Sequence, residues 1–267
     1  MRAVFLGTPD VAVPSLEALR DVADVAAVIT QPDRPRGRSK TPRPPAVKEL
    51  AIELDIPVHQ PESSKEVAPI LSTIERLDVA VIVAFGMLIR PEALAIPARG
   101  FVNVHFSILP RWRGAAPVQR AIQAGDPITG VTLMALDEGL DTGPIYSTRA
   151  TSLGPEETAG EVLDRLSHTG ARHLGEVLPT IVSGQAVATR QDDSSATHAA
   201  KVSSEERRLD LDEAALTLAR KIHALSPAPG AYATLGDARF KVLRVRSSGR
   251  TSMAPGELGL HEGGLHM

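Results

Sequence analysis

Apolar residues fall in short, unbroken runs along the first half of the chain. Val4-Phe5-Leu6 is the first and Gly7 ends it; Val25–Ile29 follows, then a weaker run at Ile56–Val58, the strongest at Val79–Ala84, and another at Phe101–Phe106. Runs that are apolar throughout, rather than alternating with polar positions, predict strands buried on both faces. Helical spacing fills the gaps: one helix starts at Pro9 or Asp10 and carries Leu16 and Leu19, and others cover Ala46–Leu54 and Val67–Leu77. Strand and helix in alternation predict an α/β fold with a mostly parallel sheet.

Thr129–Leu136 and Pro144–Arg149 read as a later pair of strands. A helix bearing Val162, Leu163, Leu166, Leu174, Val177 and Leu178 runs on to Ser183-Gly184. The first domain is therefore predicted over 1–185. Residues 186–202 lack periodicity, are rich in Asp, Ser, Thr and Ala, and read as a linker. Beyond it, Leu216, Leu218, Ala219, Ile222 and Leu225 outline an amphipathic helix, stopped by Pro227 and Pro229. Strands at Tyr232–Leu235 and Arg239–Arg246 make 203–267 a small β-rich module. Two strands fall short of the roughly five a closed barrel of this kind needs, so the module reads as shortened.

Composition narrows the chemistry. The chain has 267 residues, 43% of them apolar but only 3% aromatic, so aliphatic side chains must supply the core. It has no cysteine, which excludes disulfides, iron–sulfur clusters and thiol nucleophiles. Met1–Gly7 is too short for a signal peptide, and no stretch approaches the ~20 apolar residues of a membrane span. A cytoplasmic protein without a membrane partner is expected. His59, His168, His173, His198, His223, His261 and His266 are isolated, so no metal site is expected.

One segment gathers polar groups beside a buried strand: Asn103-Val-His105-Phe-Ser107-Ile-Leu-Pro110-Arg-Trp-Arg-Gly114-Ala-Ala-Pro117. Asn103 and His105 are two apart and share a face at the strand's C-terminal end, which in an open α/β sheet borders the ligand crevice. An Asn-x-His pair alone is equally a core histidine beside a turn asparagine. The accompanying Ser, Arg and Trp make that reading costly, since buried polar groups destabilise unless paired. Downstream, Leu140-Asp141-Thr142-Gly143-Pro144 is ordinary turn chemistry that also suits a carboxylate held at a loop tip. Acyl transfer to an amine needs donors for an oxyanion, a route for the amine proton, and alignment. Asn103 offers an amide donor, His105 a donor or a proton, and Asp141 a carboxylate to orient His105.

These residues carry a family likeness. The strand-loop NVHFSILPRWRGAAP, with LDTGPIY downstream, resembles the 10-formyltetrahydrofolate-dependent formyltransferases. FLGTPD at 5–10, TQPDRPRGRSK at 30–40, KVSSEERRLDL at 201–211 and ARKIHALSPAPGAYA at 219–233 are similar to the branch acting on tRNA, so the likeness spans roughly 1–246. The resemblance implies a Rossmann-like catalytic domain and an OB-like C-terminal tRNA-binding module. It implies formyl transfer from 10-formyltetrahydrofolate to the α-amine of methionyl-initiator tRNA by a monomer. Asn103, His105 and Asp141 take the family's catalytic positions. Ser107, Ile108, Leu109 and Pro110 take its folate-contacting loop, and Phe85, Gly86, Met87 and Leu88 its pterin pocket. Core packing is an equal reading of Phe85 and Met87.

Charge bears on the acceptor. Arg34, Arg36, Arg38, Lys40, Arg43 and Lys48 face only Asp33 and Glu49 across residues 31–50, and five prolines stiffen that stretch. Such a run is a solvated loop or a grip on phosphates. The resemblance implies that it enters the tRNA acceptor stem, with Arg34, Arg36, Arg38, Lys40 and Arg43 as contacts and Arg38 foremost. The second module carries ten Lys or Arg against six Asp or Glu over Lys201–Arg250, a modest basic surplus. A formyltransferase acting on a sugar nucleotide or glycinamide ribonucleotide explains the strand-loop equally well, but not the basic loop or second module. A nicotinamide-dependent oxidoreductase is disfavoured because Gly7-Thr-Pro-Asp lacks G-x-G-x-x-G. A non-catalytic tRNA-binding protein is the remaining alternative.

Overall fold

Ala3, Val4, Phe5 and Leu6 have no exposed surface, and neither do Val79, Ala80, Val81 and Val83. Neighbours along a strand point to opposite faces, so both faces of these strands are covered. Val4, Leu6, Ala80 and Ile82 share one core cluster with Val67 and Leu71 of the helix Val67–Ser72. Burying each Val, Leu or Ile side chain among them stabilises the fold by about 1.5–3 kcal/mol, before entropy is counted. The computed structural model describes residues 1–35 and 41–246, together with the backbone of Gly259–His261 and Gly264–His266.

The main sheet has seven strands in the spatial order Ile145–Ser152, Ile128–Ala135, Phe101–His105, Val79–Val83, Arg2–Gly7, Asp24–Ile29, Val58–His59. The last five in that order pair in parallel. Ile128–Ala135 runs antiparallel to Phe101–His105. The expected mostly parallel α/β sheet is thus present. Arg2–Gly7 lies inside the sheet, next to the central Val79–Val83, and the chain builds outward from it in one direction before crossing to the other. The C-terminal ends of Arg2–Gly7 and Val79–Val83 therefore flank a switch point, where α/β sheets open a ligand crevice.

Two details differ from the hydrophobic pattern. Ile145–Ser152 is largely exposed beyond Ser147, because it is an edge strand with a polar sequence. The helix expected over Val67–Leu77 stops at Ser72, and Arg76 then turns the chain with φ 54°.

The chain divides into two compact units. The first comprises Met1–Arg113, Gly130–Ala150 and Asp164–His198, and the second Gly114–Thr129, Thr151–Leu163 and Ala199–Met267. Within the second, the helix Pro117–Ala124 packs on the helix Ala215–Leu225. Gly125 caps the former in the left-handed region at φ 72°. Leu209, Ile222, Leu225, Ala231 and Ala233 form the unit's core against Phe240 and Val242. Ala231–Leu235 and Ala238–Val242 form an antiparallel hairpin, and Gly259–His261 pairs with Gly264–His266. Arg120 grips both carboxylate oxygens of Glu206, at 2.5 and 3.1 Å.

Candidate active site

The strand Phe101–His105 lies between Val79–Val83 and Ile128–Ala135. Asn103 stands opposite Ile82 on one side and Met134 on the other, and His105 opposite Thr132. Their two-residue spacing turns both side chains to one face, where Asn103 is half-buried and His105 only 6% exposed. Asp141 reaches the same face from the loop between Ile128–Ala135 and Ile145–Ser152. Asn103 Nδ2 donates to Asp141 Oδ1 at 3.3 Å, and His105 Nδ1 lies 3.6 Å from Asp141 Oδ2. The three sequence-selected residues thus converge.

The imidazole is held from its far side. His105 Nε2 is 2.9 Å from the carbonyl oxygen of Trp112. A carbonyl oxygen only accepts, so Nε2 carries a proton and Nδ1 is the nitrogen turned to the carboxylate. Trp112 sits at φ 67° with the Arg111 guanidinium over its ring at 4.4 Å. Ala84 (φ 47°) and Asp141 (φ 53°) also occupy the left-handed region that side chains disfavour. Such backbone outliers gather where surrounding structure over-determines a functional geometry.

The loop after the strand is pinned. Ser107 Oγ donates to the Arg111 carbonyl at 2.6 Å. Thr132 Oγ1 donates to the Ser107 carbonyl at 2.7 Å and accepts from Leu109 N at 3.2 Å. Ile108 and Pro110 are half-buried, whereas Ser107 and Leu109 are buried. The Pro110 carbonyl accepts from Thr197 N at 3.2 Å.

Phe85-Gly86-Met87-Leu88 leaves the sheet at the switch point. The Phe85 carbonyl accepts from Thr8 Oγ1 at 3.0 Å and from Gln31 Nε2 at 3.1 Å. Gly86 has φ 81°, a conformation that favours glycine, and a Cβ there would lie 2.6 Å from Gln31 Nε2, so that flexible side chain would have to move. The Phe85 side chain is core, while Met87 is half-buried and Leu88 is 74% exposed. Any ligand here meets Leu88, Met87 and the Gly86 backbone, an apolar surface with backbone polar groups suited to a flat heterocycle.

Of the basic loop, Arg34 and Arg43 are exposed and face each other in a short antiparallel ladder. Arg36, Arg38 and Lys40 lie outside the described residues. Asp33 anchors the loop's start: it accepts from Lys48 Nζ at 2.8 Å and Gln60 Nε2 at 2.7 Å, and these bonds hold its carboxyl below the ordinary value. In the second unit, Lys221 pairs with Glu213, Arg244 with Glu161 and Arg246 with Glu156. Much of that unit's basic surplus is thus engaged by its own carboxylates. Among the described residues, no group of three or more His, Asp or Glu is arranged to hold a metal.

Hydrophobic patterning missed Gln191, Thr132 and Thr197. Gln191 falls in the stretch expected to be a linker, yet is 6% exposed and hydrogen-bonded to the Asp141 loop. Its only sequence signal is a polar residue without a pattern.

A mostly parallel α/β sheet with an amide, an imidazole and a carboxylate converging at its strand ends is an architecture for group transfer to or from a carbonyl. Residues 1–178 match the formyl transferase family, and residues 201–266 match the formyl transferase C-terminal domain. The chain belongs to the formyl transferase family. It is 47% identical over 249 residues to the methionyl-tRNA formyltransferase of Halorhodospira halophila, covering 92% of this chain and 80% of that protein. It is 46% identical over 244 residues to the methionyl-tRNA formyltransferase of an Arthrobacter species, covering 91% and 79%. Its fold is similar to that of WlaRD, a sugar 3N-formyl transferase solved with dTDP and 5-N-formyl-THF. The TM-score is 0.71 at 16% identity, covering 98% of this chain and 91% of that one.

Proposed function

We propose that this protein transfers the formyl group of 10-formyltetrahydrofolate to the α-amino group of methionyl-initiator tRNA, giving formylmethionyl-tRNA for translation initiation. The observation that carries the reading is the Asn103–His105–Asp141 constellation in a chain 42–47% identical to methionyl-tRNA formyltransferases over most of its length. The folate-bound formyl group is the activated carbon donor. Ser107–Pro110 and Phe85–Leu88 hold the folate, with Leu88 and Met87 against the heterocycle. Asn103 Nδ2 donates to the formyl oxygen as it gains charge, the electrostatic assistance that acyl transfer needs, and the Nδ1 edge of His105, not engaged by Trp112, is left for proton transfer beside Asp141. Asp141 orients His105 and accepts the proton the amine gives up. One C–N bond forms as the other breaks, and the departing folate nitrogen takes up a proton, so no covalent enzyme intermediate is required. The 3.6 Å gap between His105 and Asp141 is longer than a hydrogen bond. Such pairs commonly tighten when substrate binds.

The division of labour follows the chain: catalysis in 1–185, a connection over 186–202, and tRNA binding in 203–267 together with Arg34, Arg36, Arg38, Lys40 and Arg43. Arg34 and Arg43 are exposed and available to phosphates. The protein is proposed to act in the cytoplasm as a monomer. The test is label transfer. With formyl-labelled 10-formyltetrahydrofolate and charged initiator tRNA, label should appear as formylmethionine on the tRNA. Label that stays in the folate under saturating tRNA refutes the reading.

A further inference from the structure

Gln191 and Arg113 form a buried strut behind the candidate active site. Gln191 Nε2 donates to the Asp141 carbonyl at 2.9 Å and to the Gly143 carbonyl at 2.7 Å. Its Oε1 accepts from Arg113 Nε at 3.0 Å, and Arg113 Nη2 pairs with Asp193 Oδ1 at 2.8 Å. Gln191 and Arg113 are 6% and 4% exposed. The amide has only one workable orientation: turned over, it would set its oxygen against two carbonyls and its NH₂ against a guanidinium. A carboxylate at this position satisfies Arg113 but not the two carbonyls.

The strut's two ends meet the two halves of the catalytic pair. At one end, Asp141 is held at φ 53°, a conformation the chain does not favour unaided. The Gly143 carbonyl is fixed in the same grip, and Ile145 exchanges 2.8 Å bonds in both directions with Thr189, two residues before Gln191. At the other end, Arg113 follows Trp112, whose carbonyl holds His105 Nε2. Thr197 ties that segment down, its carbonyl accepting from Arg113 N and its Oγ1 from Trp112 N, both at 2.9 Å. One chain of bonds thus runs from the support of the imidazole to the backbone of the carboxylate.

We propose that Gln191 and Arg113 are positioning residues that set the separation of His105 and Asp141. The proposal rests on the reading of that pair as the working groups. Misplacing such a pair by about 1 Å costs roughly 10²-fold in rate. It affects turnover rather than binding, because neither Gln191 nor Arg113 is placed in the folate or tRNA contacts.

The test is steady-state formylation of methionyl-initiator tRNA by Gln191→Leu, with Asp141→Asn assayed beside it and folded fraction measured by thermal melt and folate binding. The strut predicts that Gln191→Leu lowers kcat per folded enzyme at least tenfold while KM for both substrates stays within twofold. A role confined to folding would lower the melting temperature and leave kcat per folded enzyme intact, which overturns the proposal, as does a rise in KM alone. Should Gln191→Leu not fold, Gln191→Asn carries the same test. It keeps the amide but is too short to reach both carbonyls and Arg113, so kcat should fall at least fivefold, and an unchanged kcat overturns the strut. If Asp141→Asn retains full turnover, the reading of the pair fails and the strut fails with it. If Asp141→Asn is inactive and Gln191→Leu is within threefold of the parent, the strut alone is wrong.

Discussion

His105 Nε2 is committed to the carbonyl oxygen of Trp112 at 2.9 Å, which leaves Nδ1 as the nitrogen that faces Asp141. That bond decides which edge of the ring is free for chemistry. It also makes the loop after the strand part of the site, because the carbonyl belongs to a residue held at φ 67°.

Replacing His105 by Ala removes this ring and its bond to Trp112 and leaves the Ser107–Pro110 side chains in place. Formyl transfer should fall by about 10²- to 10⁴-fold, the usual worth of a positioned acid–base group. Folate affinity, measured by fluorescence or calorimetry, should be unchanged. Retained turnover contradicts the role given to His105.

Gly143→Ala tests how tightly the Asp141 loop is packed. A Cβ there would lie 1.8 Å from the Ala135 carbonyl oxygen, which is backbone and cannot swing aside. The loop must shift, at a cost of about 1–3 kcal/mol. A lowered midpoint in urea denaturation is expected, together with a lower kcat, because the same shift displaces Asp141.

Stability of the second unit should depend on pH through Glu206. Hydrogen bonds from Arg120, with Ser203 N and the nearby positive charges adding to them, hold its carboxyl at about 2 against an ordinary 4.5. Because the folded state binds this proton more weakly than the unfolded state, the contribution is fully present above about pH 4.5. It is lost as pH falls through about 2. Glu206→Gln should therefore be less stable than the parent near neutral pH, with the difference closing as the solution is acidified. A difference that stays constant with pH contradicts the assignment.

Arg38 tests the acceptor side. It lies outside the described residues, and its role rests on the charge pattern and family likeness. Arg38→Ala should raise KM for the tRNA and lower the salt slope of tRNA binding by about one, leaving folate affinity unchanged. Equal loss of both argues against a tRNA-gripping loop.

How much of this was legible depended on whether a residue's neighbours were local. Val4–Leu6 and Val79–Val83 were readable because a strand covered on both faces must be apolar at every position. Asn103 and His105 were readable because a two-residue spacing puts them on one face. Asp141 stood in ordinary turn chemistry that also suits a carboxylate at a loop tip, and the family likeness added weight to the second reading. The polar edge strand Ile145–Ser152 carried little signal, since half of it faces solvent. Gln191 was invisible because its partners, Arg113 and Asp141, lie 78 and 50 residues away in sequence, and only the folded chain brings them together. A stretch without periodicity is therefore not a stretch without contacts, and here it reaches the back of the site.

The central claim concerns the acceptor, and one comparison tests it most directly. The protein should be given labelled 10-formyltetrahydrofolate with, in turn, methionyl-initiator tRNA, free methionine and an amino-sugar nucleotide, and kcat/KM measured for each. The account expects formylation of the charged initiator tRNA to exceed the other two by several orders of magnitude. Efficient formylation of the amino-sugar nucleotide, with the tRNA left unmodified, contradicts it.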